Sequence, residues 1–203
     1  MTDPGRASTP TAPGNFNLPN LITVARIVLA PVFFWLLLWD AGADGVLRWV
    51  AAAIFIIAIA TDGVDGAIAR RRGLVTDLGK ILDPIADKLL TSGALVCLSI
   101  LGELWWWVTI VIVVREVGIT VWRMVELSRG NVVPAGRGGK LKTVAQAVAI
   151  SFALAPVWTV LGDWIFWLNW ALMGIALVLT VWSGVDYMWQ AYRLRRSLSG
   201  RRE

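Results

Sequence analysis

Polar breaks divide the chain from Leu18 onward into six apolar stretches, roughly residues 18–39, 46–68, 80–101, 104–127, 142–161 and 164–189. Each is close to the ~20 helical residues that cross a hydrocarbon core about 30 Å thick. A backbone in hydrocarbon must satisfy its own hydrogen bonds, which makes helices the solution for segments like these. The expected fold is all-α, an integral membrane protein with six transmembrane helices. Composition agrees, since 57% apolar and 16% charged residues depart from the roughly half and quarter of soluble domains. Residues 1–17 are rich in Pro, Gly, Thr and Asn and lack both apolar periodicity and the basic start of a secretory signal. They read as a flexible arm ahead of a transmembrane domain at 18–192, with a basic tail at 193–203.

Basic residues set the expected orientation, because Lys and Arg flanking a span stay on the cytoplasmic side. Arg70, Arg71, Arg72 and Lys80 lie between stretches two and three, Arg129, Arg137, Lys140 and Lys142 between four and five, and a run from Arg193 follows six. The alternate breaks hold Arg48 against Asp40, Asp44, Glu103 and Asp163. Both termini are therefore expected in the cytoplasm of a multi-pass plasma-membrane protein. Trp39, Trp49, Trp105 to Trp107, Trp164 and Trp167 gather at the opposite boundary, where amphipathic rings settle. The net charge of +5 thus points to loops and lipid headgroups rather than to nucleic acid.

There is no histidine, and Cys97 is the one cysteine. Imidazole bases, thiolate metal clusters and internal disulfides are excluded together. Chemistry must run on carboxylates, Lys, Arg, hydroxyls and a hard metal. Stretches five and six are free of charge over 143–162 and 164–185, whereas one to four carry Arg26, Asp62, Asp65, Asp83, Asp87, Lys88, Arg115, Glu116, Arg123 and Glu126. Ionised groups inside a membrane are costly, so their concentration in one half predicts a polar cavity opening to the cytoplasm.

On helices, Asp62, Asp65, Gly66 and Ala69 share one stripe, and Gly79, Asp83 and Asp87 form an i+4 ladder. Four facing carboxylates in low dielectric need cations to stay ionised. All-oxygen ligation favours one or two Mg²⁺ or Mn²⁺ ions, which commonly hold phosphates as well. Gly66, Gly79 and Ala69 leave room for a ligand to approach the backbone, and Arg70 adds a fork for phosphate oxygens.

The pattern Asp62-x-x-Asp65-Gly66-x-x-Ala69-Arg70, eight residues, Gly79-x-x-x-Asp83-x-x-x-Asp87 resembles the complete signature of the CDP-alcohol phosphotransferases, membrane enzymes of phospholipid synthesis. The resemblance implies that Asp62, Asp65, Asp83 and Asp87 hold a two-metal centre and that Asp87 is the catalytic base. It also implies that Thr61, Gly66, Ala69, Arg70 and Gly79 surround the CDP group, and that the enzyme is a homodimer. Asn20, Thr23 and Arg26 share a stripe at the start of the first helix and are further candidates to reach the nucleotide.

Arg115-Glu116, six residues, Arg123, followed by Gly139-Lys140-Leu141-Lys142-Thr143, is similar to the branch of that family whose acceptor is glycerol 3-phosphate. Arg115 and Arg123 stand about two turns apart, and with Lys140 and Lys142 they make a basic cluster suited to a phosphate dianion. Arg115 and Glu116, adjacent on a helix, are expected to be a poor direct pair. The implied reaction joins CDP-diacylglycerol to glycerol 3-phosphate. Alternatives at this level are an inositol phosphate transferase or another CDP-alcohol phosphatidyltransferase, and, outside enzymes, a divalent-cation transporter.

Overall fold

The computed structural model describes residues 18–72, 76–128 and 137–199. Among these the chain is helical throughout: α1 Leu18–Asp40, α2 Val46–Arg72, α3 Asp77–Ile100, α4 Trp106–Ser128, α5 Arg137–Leu154, α6 Trp158–Leu161 and α7 Trp164–Ser199. Asn20–Asp40, Val46–Gly63 and Trp164–Gln190 are long and apolar enough to cross a membrane, and no more than 28% of each most apolar window is buried within the protein. Most of their apolar side chains therefore face outward, as they do toward lipid. Helices α3, α4 and α5 interrupt their apolar runs with charge: Asp83, Asp87 and Lys88; Arg115, Glu116 and Arg123; Arg137, Lys140 and Lys142.

Side-chain contacts fix the helix directions. Going up α1, Asn20 meets Thr76, Thr23 meets Asp83 and Phe34 meets Gly93, so α1 and α3 are parallel. Arg26 meets Asp62 while Phe33 meets Phe55, so α2 runs against α1. Ser99 meets Thr109 while Lys88 meets Glu116, which sets α4 against α3. Lys142 meets Glu116 on α4 and Leu154 meets Arg48 at the start of α2, so α5 runs against both. Gln146 meets Thr180, and α5 packs along α7. The six long helices thus alternate, and the start of α1 and the end of α7 share one end of the bundle with the aspartates.

Two stretches differ from expectation. The fifth is two helices, because Pro156 has no N–H to donate and pushes Ala155 out of helical geometry. The sixth is the 36-residue α7, about 54 Å long, which exceeds a core about 30 Å thick and carries the basic segment from Arg193 on as helix. Elsewhere local chemistry sets the ends. The Thr76 hydroxyl accepts from Gly79 N at 3.0 Å and caps α3. The Asp40 carboxylate accepts from Asp44 N at 2.9 Å and ties the turn after α1.

The core joins Phe33 and Leu37 of α1 to Phe55 of α2, Leu90, Leu95, Cys97 and Leu98 of α3, Ile112 of α4 and Ile150 of α5. Gly93 admits the ring of Phe34, which a Cβ would strike, so α1 and α3 pack closely. The end remote from the aspartates is organised by Arg48, which is 0% exposed. It donates to both oxygens of Glu103 and to the carbonyls of Leu154 and Ala153, and it lies 4.9 Å from the Trp158 ring centroid. Arg48 thus ties α2, α5, α6 and the α3–α4 turn together rather than serving as a loop charge.

Candidate active site

Because α1 lies parallel to α3, its stripe Asn20, Thr23 and Arg26 falls along the aspartate face. The Asn20 amide donates to Thr76 Oγ1 at 2.8 Å, and the Thr23 hydroxyl donates to Asp83 Oδ1 at 2.6 Å. Arg26, 3% exposed, donates to Asp62 Oδ1. Asp62 also feels the negative charge of Asp87 and Asp83 from α3, so three signature carboxylates from two helices stand in one electrostatic neighbourhood. A Cβ on Gly79 would lie 2.7 Å from Asn20 Oδ1 and 3.2 Å from Thr76 Oγ1, which explains the glycine there.

Asp65, Gly66, Ala69 and Arg70 belong to the last turns of α2, but their side chains lie outside the described residues. Thr61 is exposed, and its hydroxyl donates back to the carbonyls of Ile57 and Ala58 in its own helix. The donor chemistry fits a hard divalent cation, since the converging groups are carboxylate oxygens with a hydroxyl beside them and no softer ligand. Among the described residues no three carboxylates approach closely enough to form a complete cage; the signature's remaining aspartate is Asp65.

A second cluster sits beside the first. Glu116 of α4, 5% exposed at its side chain, accepts from Lys142 of α5 and from Arg115 Nη1 at 3.0 Å, and pairs with Lys88 Nζ of α3 at 2.9 Å. Lys88 Nζ also donates to Asp87 Oδ2 at 2.7 Å, which joins the clusters. Arg115 Nη2 reaches Ser183 Oγ of α7 at 2.8 Å. The expectation that Arg115 and Glu116 do not pair is corrected: with Glu116 held by lysines from two other helices, the long Arg115 side chain curls back to it. Arg115 and Lys142 therefore converge, whereas Arg123 and Lys140 are exposed and outside this cluster.

Glu116 and Lys88 carry the arrangement, although the sequence marks them only as intramembrane charges and assigns neither to the site. Their signal was present in the cost of a buried carboxylate, which must be matched by cations from neighbouring helices. Three cations meet Glu116, and each keeps further N–H donors free of it. The site thus offers a carboxylate face for a hard cation next to a cluster of excess positive charge.

Residues 16–182 match the model of the CDP-alcohol phosphatidyltransferase family. A protein of Mycobacterium tuberculosis called probable phosphatidylglycerophosphate synthase is 46% identical over 177 residues, covering 87% of this chain and 82% of that protein. The CDP-diacylglycerol–glycerol-3-phosphate 3-phosphatidyltransferase of Bacillus subtilis is 46% identical over 148 residues, 68% of this chain and 77% of the relative. The protein of the same name from Escherichia coli K12 is 37% identical over 182 residues, 85% and 93% of the two chains. The chain belongs to the CDP-alcohol phosphatidyltransferase family, a class of membrane enzyme.

Proposed function

We propose that this protein transfers the phosphatidyl group of CDP-diacylglycerol to glycerol 3-phosphate, giving phosphatidylglycerophosphate and CMP. The similarity to phosphatidylglycerophosphate synthases supports the reaction. The observation that carries the acceptor is the convergence of Lys88, Arg115 and Lys142 on the single carboxylate of Glu116. A pocket with that excess of charge suits the phosphate of glycerol 3-phosphate and has no use for a neutral alcohol.

Asp62, Asp65, Asp83 and Asp87 would hold one or two Mg²⁺ or Mn²⁺ ions, which when bound neutralise the pyrophosphate and the charge of departing CMP. Arg26 and Thr23 orient Asp62 and Asp83 from α1. The cation pocket holds the acceptor phosphate and leaves its primary hydroxyl toward Asp87. Asp87 takes the hydroxyl proton, the oxygen bonds to the phosphorus that bears diacylglycerol, and the bond to CMP breaks. Lys88 keeps the Asp87 carboxylate turned toward the acceptor pocket. Arg70, with Thr61, Gly66, Ala69 and Gly79, completes the nucleotide side.

The alternating long helices support six crossings, and the start of α1 and the end of α7 lie at the aspartate end, which on this reading faces the cytoplasm in a homodimeric plasma-membrane enzyme. CDP-diacylglycerol then enters from the bilayer and glycerol 3-phosphate from the cytosol. The test is CMP release by purified protein given CDP-diacylglycerol and one acceptor at a time: glycerol 3-phosphate, inositol phosphate or serine. Release with glycerol 3-phosphate that Asp87→Asn abolishes in a folded protein is the expected result. Release with inositol phosphate alone overturns the acceptor, and full activity in Asp87→Asn overturns the base.

A further inference from the structure

We propose that the groove between α4 and α7 binds one anionic glycerophospholipid of the surrounding bilayer, beside the Glu116 cluster, with which it shares Arg115, and apart from the aspartates. The groove has a volume of about 780 Å³. Ile110, Val114, Gly118 and Trp122 of α4 form its apolar wall, and Arg115 and Tyr187 are its polar members.

Two buried donors in this groove lack partners. Tyr187 is 9% exposed, and neither its hydroxyl nor Arg115 Nε has a hydrogen-bond partner among the described residues. Buried donors without acceptors are costly and uncommon in proteins, so two of them along one groove call for acceptors from a ligand. The apolar surroundings narrow the choice of ligand. From Ile110 to Trp122 the groove follows α4 for about 18 Å, close to one leaflet of a hydrocarbon core about 30 Å thick. An acyl chain matches that length.

Polarity is graded along the groove in the sense a phospholipid requires. Ile110, Val111 and Val114 form the end nearer the start of α4, Arg115 follows, and Tyr187 packs edge-on against Trp122 at the end toward Ser128. Arg123, exposed on the next position of α4, acts on Tyr187 together with Arg115 and against the buried carboxylate of Glu126, which leaves two cations to one anion at this end. Ester carbonyls supply acceptors for the Tyr187 hydroxyl and Arg115 Nε, and an anionic headgroup reaches Arg123. Met188, which lines the groove from α7, is exposed, so the groove opens on the apolar outer surface of the bundle.

Native mass spectrometry of the full chain released from nanodiscs of equal phosphatidylglycerol and phosphatidylcholine tests the site. The wild type is expected to retain one phosphatidylglycerol with roughly fivefold preference or more, the gain for one cation on an anionic headgroup. A Cβ at Gly118 meets no atom within 4 Å, so Gly118→Leu projects its side chain into the middle of the groove and should sharply lower retention. Tyr187→Phe removes the hydroxyl alone and should lower retention about threefold. Equal retention of both lipids, or undiminished retention in Gly118→Leu, overturns the proposal. A dimer that becomes monomeric in Gly118→Leu with no loss of lipid also overturns it, by showing that a second copy covers the groove. Should Gly118→Leu fail to fold, the Tyr187→Phe result decides alone. CMP release in the same samples reports separately on the reaction, so loss of the lipid site leaves that assignment standing.

Discussion

Arg26 of α1, 3% exposed at its side chain, donates to the carboxylate of Asp62 on α2, the first aspartate of the family signature. A cation one helix away thus balances a carboxylate that Asp83 and Asp87 both repel. Removing it strands negative charge, and a divalent ion then becomes the remaining source of compensation. Arg26→Met is expected to lower metal-free stability by about 1–2 kcal/mol, discounted for the exposure of Asp62, or roughly 2–8 °C in Tm. Mg²⁺ should restore more of the Tm in the variant than in the wild type. Equal Mg²⁺ effects on both proteins, measured by thermal melts in detergent, count against this balance.

Lys88 bridges the aspartates and the Glu116 cluster proposed to hold the acceptor, with Asp87 at 2.7 Å and Glu116 at 2.9 Å. Cutting it should disturb both halves of the reaction. Lys88→Met is expected to lower kcat about 10²-fold, the usual scale for mispositioned acid–base groups, and to raise the glycerol 3-phosphate KM. Lys88→Arg, which keeps charge and reach, should recover part of kcat. A variant affected in KM alone would mean that Lys88 serves only the acceptor.

The sequence made the helical plan legible, and with it the helix positions of Asp62, Asp83 and Asp87, because both depend on local spacing. Apolar run length set the long helices, and i+3 and i+4 steps set which carboxylates share a face. What spacing leaves open is which helix supplies each counter-charge. Arg26 pairs across to α2, Thr23 to α3, and Glu116 gathers Lys88 and Lys142 from α3 and α5, all relations of tertiary packing. Arg48 shows the same limit in reverse. Counted as a loop charge from sequence, it is fully buried because the carbonyls at the end of α5 and the Glu103 carboxylate converge on it.

Gly79 lies where α3 crosses α1, and its missing side chain makes room for the Asn20 amide oxygen. Gly79→Ala should push Asn20 away from Thr76 and weaken the cap of α3. The expected loss is about 1–2 kcal/mol in stability, with a raised KM for CDP-diacylglycerol. Gly174→Ala is the control, since a Cβ there meets nothing within 4 Å and should be neutral or stabilising by up to about 1 kcal/mol. Matching Tm losses in the two variants would remove the special role of Gly79.

Arg48 makes a structural prediction at the end of the bundle remote from the reaction. Asp62 is 14 positions further along α2, about 21 Å, so a change at Arg48 should spare substrate binding. Arg48→Met strands Glu103 and Asp44, whose side chains are 29% and 27% exposed, and deprives two carbonyls of α5 of donors. The expected cost is about 3–5 kcal/mol, with substrate KM values unchanged in the protein that remains folded. A large KM shift without loss of stability would show that this end communicates with the site.

Lys142 and Arg123 separate two views of the acceptor pocket. By sequence both belong to it, whereas Lys142 is buried on Glu116 and Arg123 is exposed outside that cluster. A charge-assisted hydrogen bond to phosphate is worth about 1.5–3 kcal/mol. Lys142→Ala is therefore expected to raise the glycerol 3-phosphate KM roughly 10- to 100-fold and to leave the CDP-diacylglycerol KM nearly unchanged. Arg123→Ala, with its charge exposed outside the cluster, should raise the acceptor KM less than about fivefold. Steady-state CMP release with each substrate varied in turn measures both ratios. Equal acceptor effects from the two variants would enlarge the pocket to include Arg123, and an effect of Arg123→Ala alone would move the phosphate away from Glu116.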